Sequence, residues 1–196
     1  SALVFGKINK NLPVCFGYYD WMAASAGAGP WHFYIWKSQD SQNLKKDFYE
    51  VTPEDVELDS GGVPTFRDIN GDGFNDLVFD NHEAKYQPLD QILIWNQQKQ
   101  IFEENMDFPA YWQPQIDVYL LKLKNASDNE RSSFFYVDHL AQLFKARGGN
   151  EGVKEFQKLA NVKMEPFLKN DRNDSLQRRA DMTLKRMTKL LDKSIQ

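Results

Sequence analysis

The chain has 196 residues, with 24 Lys and Arg against 28 Asp and Glu for a net charge of -4, and 14% of it is aromatic. That length suits one domain or a domain with an appendage, the acidic balance excludes an obvious polyanion binder, and the aromatic content excludes wholesale disorder. With a mean hydropathy of -0.63 and no apolar run near the roughly 18 residues of a membrane span, no transmembrane segment is expected.

The chain opens Ser1-Ala2-Leu3-Val4-Phe5, without Met and without a charged segment leading into an apolar one, and so reads as a mature or trimmed protein. Leu12 to Tyr19 is a short β-rich run holding Cys15, the sole cysteine. One cysteine closes no intrachain disulfide and builds no cysteine-based zinc site; here it reads as a structural thiol. Ala23 to Pro30 is a small-residue connector, and Trp31 to Lys37 is the next strand. Asp76 to Phe79, Gln91 to Asn96 and Asp117 to Leu123 continue the strand series, the last alternating imperfectly with Val118 and Leu120 as its inward candidates.

Beyond about residue 130 the pattern turns helical. Phe134 to Arg147 is stopped by Gly148-Gly149, because glycine accepts the left-handed cap conformation. Gly152 to Ala160 carries Val153, Phe156, Leu159 and Ala160 at helical spacing, with Pro166 as a kink or restart. A third helix follows the caps Asn173 and Asp174: Leu176, Ala180, Leu184, Met187, Leu191 and Ile195 form one face, and basic residues including Arg178, Arg179 and Arg186 cover the rest. Residues 1–130 hold 10 Lys and Arg against 20 Asp and Glu, and residues 131–196 hold 14 against 8. The expected fold is therefore α+β, a β-rich N-terminal domain over 1–130 with a helical region over 131–196 packed on it. The basic helix reads as a solvated face, since no aromatics interleave with its cations as a nucleic-acid stacking platform requires.

The most specific stretch is Asp68-Ile69-Asn70-Gly71-Asp72-Gly73-Phe74-Asn75-Asp76. Oxygen-bearing side chains recur at Asp68, Asn70 and Asp72, with Asp76 four residues further on. Calcium is a hard cation that takes about six to eight oxygens, and a tight loop with alternate carboxylate or amide side chains supplies several at once. Gly73 permits the turn that offers the Phe74 carbonyl. An EF-hand would place a glutamate at the twelfth position, here Phe79, and helices on either side, so that motif is not met. The competing reading is a metal-free turn, because Asn, Asp and Gly favour turns on their own account.

This stretch resembles the calcium loop of FG-GAP and VCBS-type repeats, present once instead of in several copies. A lone loop followed by strands such as Gln91 to Asn96 is similar to small periplasmic inhibitors of lysozyme and to toxin-immunity proteins. The resemblance implies calcium held by Asp68, Asn70, Asp72, Phe74 and Asp76. It also implies a periplasmic or secreted, non-enzymatic bacterial protein that neutralises a partner, such as a secreted effector degrading cell wall or membrane. The alternatives are a calcium-dependent hydrolase and a carbohydrate-binding or adhesion module. Partner contacts are expected from aromatics, with Trp21, Trp31, Tyr111 and Trp112 as candidates. His32, His82 and His139 share no metal-binding spacing, and no nucleophile elbow or phosphate-binding glycine loop is present in the sequence.

Overall fold

Residues rich in aromatic and β-branched side chains dominate the first half of the chain, and there they form antiparallel strands. The computed structural model describes residues 2–19, 31–36, 48–51, 63–80, 89–126, 130–169 and 174–192. The chain divides into two units, Ser1–Met106 and Asp107–Gln196. Among the described residues of the first unit, β1 (Ala2–Lys7), β2 (Val14–Tyr19), β3 (Trp31–Trp36) and β4 (Phe48–Glu50) make one sheet in that order. A second sheet holds β5 (Thr65–Arg67), β6 (Asp76–Phe79), β7 (Gln91–Asn96) and β8 (Ile101–Glu104). The strands expected at β2, β3, β6 and β7 are present, β8 follows β7 at Ile101–Glu104, and β1, β4 and β5 add to them.

The period-2 alternation of each strand decides what it buries. Cys15, Trp31, Phe33 and Ile35 face inward from the first sheet; Leu77, Phe79, Leu93, Trp95 and Phe102 face inward from the second, and all belong to one core. Phe33 meets Phe79 and Phe102 edge-on, at centroid distances of 6.1 and 6.2 Å, a favoured aromatic geometry. Val51 joins the sheets through the backbone, donating to the Phe33 carbonyl at 2.8 Å and accepting from Phe102 N–H at 3.0 Å. Gly17 is required by packing: a Cβ there would lie 2.4 Å from the Phe33 ring. Cys15 is buried, and loss of solvation pushes its thiol up to about 12, so it is protonated at neutral pH and no nucleophile. The Ala23 to Pro30 connector lies outside the described residues.

The second unit is helical: α1 (Pro109–Asn125), α2 (Glu130–Arg147), α3 (Val153–Leu168) and α4 (Asp174–Asp192). The expected strand at Asp117 to Leu123 is instead the C-terminal half of α1. Pro109 stands at the start of that helix, where a missing N–H costs nothing, and Trp112, Ile116, Tyr119 and Leu123 form its buried stripe at spacings of three and four. That helix belongs to the second unit, so the division falls at 106/107 and not at 130. The glycine stop after α2 is present: Gly148 N–H reaches the Phe144 carbonyl at 3.1 Å and both Gly148 and Gly149 have positive φ. α3 runs on through Pro166, two residues before its end, without a restart.

Arg147 closes the unit's central turn, donating to Gln113 Oε1 of α1 at 2.7 Å and to the Glu151 carbonyl. Its guanidinium lies 4.9 Å over the Phe144 ring, so this buried cation is held by hydrogen bonds and an aromatic face together.

Candidate metal-binding loop and exposed sheet face

The pairing of Arg67 with Asp76 closes the β5–β6 hairpin, and residues 68–75 form its loop. Gly71 and Gly73 take φ of 77° and 84°, values that strain any residue with a Cβ. The acidic side chains shape the loop by accepting from its own backbone. Asp68 Oδ1 and Oδ2 accept from Gly71 and Gly73 N–H at 2.7 and 3.0 Å, Asn70 Oδ1 from Asp72 N–H at 2.9 Å, and Asp72 Oδ1 from Phe74 N–H at 2.8 Å. The Phe74 ring packs against the core.

Asp76 occupies the base of the loop and is fully buried. Its Oδ2 accepts from Ile69 N–H at 3.0 Å and its Oδ1 from Trp95 N–H of β7 at 3.1 Å. Burial pushes its carboxyl above the usual range, those two N–H bonds pull it back, and the negative charges of Asp72 and Asp68 push it up again. Asp76 thus feels the charges of both acidic neighbours while itself out of water. Asn75 ties the loop to the first sheet, its N–H donating to the Ile8 carbonyl at 2.6 Å and its Nδ2 to the Lys7 carbonyl at 2.7 Å.

The donor types suit a hard cation: carboxylates, a side-chain amide oxygen and a backbone carbonyl, all oxygen. Each carboxylate oxygen engaged by one N–H keeps a second lone pair. As the side chains stand, however, no three His, Cys, Asp or Glu among the described residues are grouped tightly enough to hold an ion. Their oxygens face the backbone, which is the hydrogen bonding a metal-free turn would also have.

The second feature is the outward face of the first sheet. Cross-strand register sets Leu3, Tyr18 and His32 in one row and Phe5, Phe16, Tyr34 and Glu50 in the next. Phe5 is 64% exposed and Leu3 57%. Phe16 stacks on Tyr34 with centroids 5.5 Å apart, Tyr18 on His32 at 5.5 Å, and Phe5 lies 6.4 Å from Phe16. Glu50 accepts from or pairs with His32 Nδ1 at 2.9 Å. Such a contiguous apolar surface marks an interaction site more often than scattered single residues do.

The aromatics expected to contact a partner are placed differently. Trp31 is 2% exposed and Trp112 is fully buried: Trp31 points into the shared core of the two sheets and Trp112 lies on the inward stripe of α1. Neither presents a surface anchor. Tyr111 is half-buried and meets Trp112 edge-on at 4.9 Å, while Trp21 and His82 lie outside the described residues. His139 is buried with the Tyr119 ring 4.1 Å away. The sheet-face rows were missed although the alternation of Leu3, Phe5, Phe16 and Tyr18 against Cys15 and Gly17 carries them. Compared with known protein families, curated proteins and solved structures, the chain matches none.

Proposed function

We propose that the Ser1–Met106 unit is a calcium-ordered β module that works by binding a partner protein through the outward face of β1 to β3. The observation that carries this reading is the Asp68–Asp76 loop, where the buried Asp76 carboxylate lies within the field of the exposed Asp68 and Asp72 at the foot of a glycine-punctuated turn of oxygen donors. Calcium would supply the compensating charge, held by Asp68, Asn70, Asp72, Asp76 and the Phe74 carbonyl. Asn75 links that loop to Lys7 and Ile8, so order in the loop extends to β1, the strand that presents Leu3 and Phe5.

Export to a calcium-rich compartment fits a loop lacking the twelfth-position glutamate, since occupancy scales with free ion over Kd. In that setting an immunity or inhibitor role against a secreted effector is the reading we favour over a hydrolase. A carbohydrate platform is less well supported, because Phe16 stacks on Tyr34 and Tyr18 on His32, so these rings spend faces on one another that a sugar would need. The test is affinity capture from the native source in calcium and in chelator, with Phe5→Ser and Asp72→Ala beside the wild type. A partner retained by the wild type in calcium and lost by both variants supports the proposal; retention by both variants, or in chelator, contradicts it.

A further inference from the structure

Among the described residues, the two sheets of the Ser1–Met106 unit end in four edge strands, β1 and β4 in the first and β5 and β8 in the second. An edge presents a row of open N–H and C=O groups to any strand that can pair with it, and proteins guard such edges by shortness, charge, proline or a bulge. Three of these edges are guarded. β4 and β5 are three residues each, and β8 ends in Glu103 and Glu104, with its Phe102 N–H already given to Val51. β1 is different: it has six residues and no proline, pairs with β2 from Ala2 to Lys7 without a bulge, and is charged only at Lys7.

The registers fix which backbone groups stand at that edge. Antiparallel strands turn the N–H and C=O groups of successive residues to opposite sides. Val51 N–H reaches the Phe33 carbonyl, so Phe33 faces β4 while His32 and Tyr34 face β2. Carried through the pairs Tyr18↔His32 and Val4↔Gly17, the alternation turns Ala2, Val4 and Gly6 towards β2 and Leu3, Phe5 and Lys7 away from it. The Lys7 carbonyl agrees, since it accepts from Asn75 Nδ2 at 2.7 Å. Leu3 and Phe5 have no backbone partner on that side among the described residues. Their side chains are 57% and 64% exposed, so open backbone groups and apolar surface coincide on the same two residues.

Every copy of the chain presents this edge, and a second β1 fits it. Laid antiparallel about a two-fold axis at Val4, the strand sets Leu3 opposite Phe5 of the second copy and Phe5 opposite its Leu3, so the open groups of both residues pair. The same arrangement brings the apolar side chains into cross-strand contact on the outward face. It also holds the two Lys7 cations about 20 Å apart, three residues either side of the axis at roughly 3.4 Å each, beyond the screening length of about 8 Å at physiological salt. A parallel pairing would set those cations side by side. The contact uses the same patch on both copies and so closes at two.

We propose that the chain forms a two-fold dimer in which β1 of each copy pairs antiparallel with β1 of the other, joining the two first sheets into one. The dimer requires neither calcium nor the partner protein proposed above. The test is sedimentation equilibrium of the full chain from about 1 to 200 µM, a range that misses only weak association, beside three variants. Leu3→Pro removes a donor from the open edge and none from the β1–β2 ladder, a placement that proline tolerates. Leu3→Lys with Phe5→Lys charges the edge. Tyr18→Ser alters the outward face on the neighbouring strand and leaves the edge whole. The expected result is a dimeric wild type and a dimeric Tyr18→Ser, with the dissociation constant raised about tenfold or more in both edge variants and their tryptophan emission unchanged, which shows that they fold. A wild type that stays monomeric overturns the proposal. So does a dimer that either folded edge variant leaves intact, and so does one that Tyr18→Ser abolishes, since the contact would then lie on the sheet face.

Discussion

The two units handle charge in opposite ways. Residues 1–106 hold 8 Lys and Arg against 16 Asp and Glu, whereas residues 107–196 hold 16 against 12. In the helical unit several charges are answered locally: Lys185 pairs with Asp181 at 2.7 Å one helical turn away, and Arg186 reaches Asp138. In the β unit part of the acidic excess gathers in one turn, where backbone N–H groups fix the carboxylates without supplying a counter-charge. Backbone satisfaction differs in the same sense. Helices close their hydrogen bonds within themselves, but the strands depend on partners distant in sequence, with Val51 as one bridge between sheets. The lesson is that ionic conditions should act unequally, divalent cations on the β unit and anions on the helical one.

That inequality can be broken or sharpened by measurement. Four of the five tryptophans, at 21, 31, 36 and 95, lie in the first unit, and the described helices lie in the second, so indole fluorescence and ellipticity at the helical minimum follow different units. The largest effects should come from the core: Trp31→Ala and Trp112→Ala each remove a buried indole, at a cost of about 3–5 kcal/mol. The first should lower mainly the fluorescence-detected melt and the second mainly the helical melt. Equal loss of both signals in either variant would refute the division.

Smaller losses should follow from backbone and packing constraints. Gly17→Ala forces a methyl to within 2.4 Å of the Phe33 ring and should cost about 1–3 kcal/mol, read in the β unit. Gly149→Ala meets nothing nearby but must hold a φ of 67°, so the penalty is conformational, about 1–2 kcal/mol, and read in the helical melt. An unaltered melt for Gly17→Ala would mean that Phe33 yields freely. Smallest of all, Asp181→Asn removes an exposed pair and should change stability by no more than about 0.5 kcal/mol; a larger loss would show that local pairing matters more to the helical unit than its solvent exposure allows.

The sequence made the β2, β3, β6 and β7 strands and the last three helices legible because local pattern and tertiary burial agree there. It misled at Asp117 to Leu123, where Val118, Tyr119, Leu120 and Leu121 invite a strand by composition. The deciding signal spans a longer window, from Trp112 through Ile116 and Tyr119 to Leu123. β4 and β5 are three residues each, too short to announce themselves without neighbours to pair with. The acidic loop was readable as a motif, since its spacing is local. Its anchoring was not, because Trp95 N–H and the Lys7 and Ile8 carbonyls reach it from distant strands. Exposure of Phe5 and burial of Trp31 depend in the same way on which face of each sheet is covered, which bulk hydrophobicity does not disclose.

The most direct test of the account is the fluorescence-detected melt of the wild type and of Asp72→Ala, each in chelator, in magnesium and in calcium. A site filled to about 100 times its Kd stabilises by about 2.7 kcal/mol. Calcium should raise the wild-type midpoint by several degrees and magnesium far less, and Asp72→Ala should respond to neither. Wild-type melts that coincide in calcium and in chelator would contradict it and leave the Asp68–Asp76 loop as a hydrogen-bonded turn without a metal.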